Sequence, residues 1–81
     1  LTEANFATVR RGESKADVRD RLGRPSEQRT GWRGVGEVWS YRYDGVFCRW
    51  FQVGMDGSGR VADTAYGPDP RCEVNIVDRD L

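Results

Sequence analysis

Along FCRWFQVGM, residues 47–55, apolar side chains recur at alternate positions: Phe47, Phe51, Val53 and Met55, interrupted by Arg49. The positions between them hold Cys48, Trp50 and Gln52. A strand with one face on a core and one in water alternates apolar with polar, so the first set marks the core side. Trp50 and Cys48 make the other face something more than a solvated surface. EVWSYRY, residues 37–43, repeats the period, with Trp39, Tyr41 and Tyr43 on one side and Val38, Ser40 and Arg42 on the other. Asp44-Gly45 between these runs is a hairpin signal, because both central residues of a type I′ turn need positive φ. Asp56-Gly57-Ser58-Gly59 turns the chain into a third run, RVADTAY at 60–66. That turn resembles a calcium loop only superficially, since the further acidic positions are missing, and a plain turn is expected. Pro68 and Pro70 end regular pairing.

Ahead of the strands the period lengthens to that of helices. Thr2 is placed to cap a first helix, Leu1 to pack on Phe6 as a staple, and Phe6 and Val9 share a face. Gly12 ends that helix. Ser14 caps a second, with Asp17 in the reciprocal position of a capping box, Val18 and Leu22 as its apolar stripe, and Gly23 and Pro25 as its stop. Both helices are too short to persist alone and need a sheet to lie on. Residues 26–30 read as extended at best, and 31–36 (GWRGVG) as a glycine-rich loop. The expected fold is therefore α+β: two short N-terminal helices packed on one face of a three-stranded antiparallel meander. Trp39, Tyr41, Phe51 and Val53 should close its core against Phe6, Val9, Val18 and Leu22. The domain spans 1–66. The remainder, 67–81, is a tail expected to be strapped to the sheet, and within it 71–81, with Val74, Ile76 and Val77, is either a fourth strand or a loosely held end.

Composition sharpens this picture in three places. With 81 residues and 37% hydrophobic content, the chain is one domain with little core material, partly offset by nine aromatic rings. Two cysteines, Cys48 and Cys72, suit a single disulfide in an oxidising compartment, which would contribute about 3 kcal/mol in the chain-entropy model. Zinc is disfavoured, because no histidine accompanies the two thiols. The absence of histidine also removes the commonest general base, and Ser14 is better explained as a cap than as a nucleophile. Neither an enzyme nor a cofactor is implied.

Charge balances at 13 basic and 13 acidic groups, but residues 1–33 hold eight basic and five acidic while 61–81 hold two and five. The basic third is either an ordinary solvated helical surface or a face for anionic headgroups or an acidic partner. No concentrated basic patch points to nucleic acid. No apolar run approaches the roughly 20 residues of a bilayer span. The chain opens on Leu1 rather than methionine, which reads as a mature or trimmed product with any leader or lipid anchor outside it.

Two candidate sites follow. The helix-free side of the sheet should carry Trp50 with Arg42 and Tyr66 on neighbouring strands, residue types that dominate interface energetics. Either Cys48 pairs with Cys72 and the tail covers this side, or the side stays open to a protein partner. The second is the loop around Arg29, Trp32 and Arg33, which is either an interfacial aromatic between cations or a loop with its tryptophan folded back on the sheet.

The run LTEANFATVRRGESKADVRDRLGRP, then VWSYRY, then FQVGMDGSGRV, resembles the SmpA/OmlA (BamE-like) family of bacterial outer-membrane lipoproteins. Leu1, Thr2, Gly12, Val18, Leu22, Gly23, Pro25, Trp39, Tyr41, Gly59 and Val61 carry the likeness. It covers residues 1 to about 66. The resemblance implies a non-catalytic periplasmic domain, anchored to the outer membrane through a lipid outside this chain. It also implies the α-α-β-β-β fold found in the repeats of β-lactamase inhibitor protein. Its implied partners are subunits of the barrel-assembly machinery and anionic phospholipid, with the loop of Arg29, Trp32 and Arg33 in the region used for such contacts. A secreted inhibitor or general protein-binding module on the same fold is the alternative. The Cys48/Cys72 pair and the GPDPRCE stretch are not general family features.

Overall fold

A computed structural model describes residues 3–31, 36–44 and 48–70. Two helices, α1 (Glu3–Phe6) and α2 (Lys15–Leu22), precede four strands: β1 (Glu27–Thr30), β2 (Glu37–Asp44), β3 (Arg49–Met55) and β4 (Val61–Pro68). The strands form one antiparallel meander in the order β1-β2-β3-β4. Ser14 caps α2, its Oγ accepting the Asp17 N–H at 3.2 Å. Gly23 ends α2 at φ 78° with its N–H on the Arg19 carbonyl. The Glu13 carboxylate closes the turn ahead of α2, accepting from the Arg10 N–H.

The period-2 reading of β2 and β3 holds. Trp39 pairs with Val53 and Tyr41 with Phe51, and all four are buried with Phe6, Val18, Leu22, Met55 and Val61. Phe6 stacks on Phe51 with ring centroids 4.4 Å apart, so the single turn of α1 is held by aromatic packing rather than by its own length. Tyr41, 1% exposed, donates its O–H to the Gly23 carbonyl at 3.0 Å and so ties the sheet to the end of α2. Burial pushes this phenol up to about 12 from its usual 10. A folded-state value above the unfolded one means stability is intact below pH 10 and is lost as pH rises towards 12. Tyr41→Phe should therefore show a lower thermal midpoint at neutral pH and a shallower alkaline decline. An equally steep decline in the variant would assign the alkaline loss to another group.

The sheet has four strands, not three. β1 consists of Glu27, Gln28, Arg29 and Thr30, paired with Ser40, Trp39, Val38 and Glu37. It offers no apolar residue and so no periodic signal. Backbone bonds hold it, extended by Ser26 N–H to the Ser40 carbonyl (2.8 Å) and closed by Gly31 N–H to the Gly36 carbonyl (3.0 Å). The turn expected at Asp56–Gly59 is present: Asp56 Oδ1 accepts from the Ser58 N–H, the Ser58 Oγ and the Arg60 N–H. These bonds, the Ser58 hydroxyl foremost, lower the Asp56 pKa. Leu1, Thr2, Gly45, Phe47 and the tail at 71–81 lie outside the described residues.

The loop between the helices docks on the outer edge of β4. Gly12 N–H donates to the Val61 carbonyl (2.8 Å) and Val61 N–H to that of Glu13 (2.9 Å). Arg11 Nε and Arg60 Nη1 bond the carbonyls of Ala62 and Gly12. This lock positions α2 above β2 and β3.

Candidate functional site

The helix-free face is assembled from cross-strand pairs. Arg42 lies opposite Trp50, which lies opposite Gly67; Ser40 and Gln52 form the next row with Glu27 and Ala65. Trp50 is 6% exposed rather than open. The Arg42 guanidinium sits 5.4 Å from its ring centroid, and its indole edge runs beside Gly67, where an added Cβ would make ordinary van der Waals contact. Arg42 Nε donates to Asp69 Oδ2 at 2.8 Å, its Nη2 stands 3.8 Å from Glu27, and its backbone N–H bonds the Ser26 Oγ at 3.0 Å. Asp69, just past β4, is itself 6% exposed and donates its N–H to the Cys48 carbonyl at 2.6 Å. Asp69, the first residue beyond β4, thus latches onto the free face through charge, while the strap expected of the tail lies outside the described residues.

Tyr66 is not on this face. It pairs with Phe51 and joins the core-side aromatic cluster, 5.0 Å from the Phe51 ring, 6.1 Å from Tyr43 and 5.7 Å from the Arg49 guanidinium. The cause is a register shift between Gly54 and Met55. One extra residue in β4 after Val61 inverts the side of everything that follows. Arg29, read as part of a separate loop, lies in β1 on the same side as Arg42, its Nη2 3.4 Å from Glu27 Oε1. Trp32, Arg33 and Cys72 lie outside the described residues, so neither the loop site nor the disulfide is completed by them. Cys48 stands in a left-handed conformation (φ 56°), the one non-glycine residue to do so among those described.

Chemically, the Arg42 centre of this face is satisfied within the chain. Arg42, the cation that a partner would seek, already meets a carboxylate and an indole. The polar capacity left over belongs to Arg29, Gln52 and Asp63 around a floor of small residues. Sequence reasoning missed Glu27 and Asp69, whose links to Arg42 cross the sheet and leave no periodic trace.

No protein-family model matches the chain, and no curated protein matches it. Among solved structures, a crystal structure described as the osmotically inducible lipoprotein OsmE aligns over 96% of this chain and 83% of its own, with a TM-score of 0.70 and 24% sequence identity. The chain shares its fold with OsmE. At that identity the likeness concerns the fold: two helices on one side of an antiparallel meander, with the other side carrying the Arg42–Trp50–Asp69 latch in this chain.

Proposed function

We propose that the chain is a non-catalytic scaffold and binding domain of a bacterial envelope lipoprotein, held at the outer membrane on its periplasmic side. The observation that carries this reading is the OsmE-like fold over nearly the whole chain. The SmpA/OmlA-like run of Gly12, Leu22-Gly23-x-Pro25 and Trp39-x-Tyr41 supports it from the sequence. In this reading the domain acts as an accessory subunit of the BamE type. It presents Arg29 and the rim of the Arg42–Trp50 face to barrel-assembly subunits, and the segment after β1 that holds Trp32 and Arg33 to anionic lipid. The bridge between Cys48 and Cys72 belongs to the same proposal: Asp69, hydrogen-bonded to Cys48, stands three residues before Cys72.

Affinity purification from the native membrane, followed by intact-mass measurement without reductant, tests the reading. Barrel-assembly subunits should co-purify, a lipidated cysteine should precede Leu1, and the mass should fall two hydrogens short of the reduced form. Purification without those subunits would end the accessory role. A simple cleaved leader would favour a secreted inhibitor or binding module on the same fold. Two alkylatable thiols would remove the bridge.

A further inference from the structure

On the opposite side of the sheet from the latch, a groove of about 300 Å³ runs between α2 and β2, bounded by Lys15, Ala16, Arg19 and Trp39. We propose that this groove binds a carboxylate side chain from an acidic segment of a partner protein, with Arg19 as its receptor. Lys15 and Arg19, one helical turn apart, overhang the start of β2 from α2. Their surroundings differ. Lys15 Nζ is ion-paired to Glu37 Oε2, while Glu37 Oε1 accepts the Trp39 indole N–H at 3.0 Å. Lys15 and then Trp39 hold the Glu37 carboxyl below its usual range, so a carboxylate at the rim of this groove is already stabilised by a cation and an indole donor. The Arg19 guanidinium lies 5.4 Å from the Trp39 ring centroid and, among the described residues, makes no hydrogen bond or ion pair.

That contrast sets the chemistry. The guanidinium fork matches a carboxylate in two parallel hydrogen bonds, and the Trp39 ring beneath Arg19 holds that fork over the groove. The surrounding charge complements it, with six basic and three acidic residues between positions 10 and 24. A phosphate headgroup would need several converging cations. Here Lys15 is ion-paired to Glu37 and Arg19 adds only a weaker, longer-range pull on the same carboxylate, so Arg19 keeps its hydrogen-bonding fork for one side-chain carboxylate. This groove is separate from the latch face, and the inference stands whether or not the chain is membrane-anchored.

The experiment is an NMR titration of the isotope-labelled chain with acetyl-Leu-Glu-Leu-amide, its Gln counterpart, and phosphatidylglycerol vesicles in separate arms. The Trp39 indole N–H and the Arg19 Nε–H should move together and saturate with the Glu peptide. The Gln peptide should bind at least about fivefold more weakly, the effect of losing a charge-assisted bond. Arg19→Gln should abolish the response. Ala16→Leu, which fills the groove and leaves Arg19 in place, should weaken it similarly at an unchanged unfolding midpoint, and so guards against a folding defect in the first variant. Equal responses to Glu and Gln peptides, shifts spread over Arg10, Arg11 and Arg24, or a response to vesicles alone would each overturn the proposal.

Discussion

Gly36→Ala should be among the most damaging single substitutions in this domain, costing about 3–5 kcal/mol out of a total on the order of 4–12 kcal/mol for a chain of this length. Gly36 stands at φ 67° immediately before β2, and a Cβ there would lie 1.9 Å from the Met55 carbonyl oxygen and 2.8 Å from its carbon. Both obstructing atoms are backbone, so no side-chain rotation relieves the clash. Relief requires β2 and β3 to separate where Glu37 pairs with Met55. The same movement would pull Glu37 from Lys15 and disturb the Trp39 end of the core. Gly12→Ala is the control. Its φ of 88° imposes a similar conformational strain, but nothing lies within 4 Å of the added methyl, so a loss of only about 1 kcal/mol is expected. Urea midpoints of the two variants decide the matter. Equal losses would mean that positive φ alone accounts for Gly36 and that the strand contact contributes nothing.

What the sequence reveals about this molecule follows from which forces leave periodic traces. Trp39, Tyr41, Phe51 and Val53 are legible because burial on one face of a pleated strand imposes a period of two. Val18 and Leu22 are legible because one face of a helix imposes theirs. β1 is illegible for the same reason: Glu27–Thr30 is held by backbone pairing, and no side chain there records it. Alternation counted from Val61 puts Tyr66 on the wrong face, because the register shift between them is announced by no residue type. The period of two puts Trp50 opposite Trp39, but it does not reveal what covers it. Its cover is a cation from β2 and a carboxylate 27 positions further on, a pairing set by the meander and invisible along the chain. The Lys15–Arg19 groove was hidden similarly, since two cations on a short helix read as solvated surface until Glu37 and Trp39 are brought beneath them.

The second large effect is expected at that cover. Asp69→Asn keeps the shape of the side chain but removes the anion facing Arg42, and Arg42→Met removes the cation and its hydrogen bonds. Asp69 retains 8% of its side-chain exposure and Arg42 26%, so the pair is mostly but not wholly withdrawn from water. Breaking a fully buried pair costs about 3–5 kcal/mol, and partial exposure of Arg42 brings the expectation for either single variant down to about 2–3 kcal/mol. The two losses should not add. Once Asp69 is neutral, removing Arg42 forfeits little beyond its contacts with Trp50 and Glu27, so a double-mutant cycle should return a coupling energy of about 1–2 kcal/mol. Additive losses would show that the two groups act independently and that Trp50 is covered by packing alone. The latch also bears on the free face as a binding surface. Asp69 fixes the first residue beyond β4 beside Cys48 and against Arg42, the cross-strand neighbour of Trp50. Loss of the latch should therefore loosen the exit from β4 and raise the exposure of Trp50 together. A selective red shift of tryptophan emission in Asp69→Asn, absent when Trp50 is also replaced by Phe, would report that coupling directly.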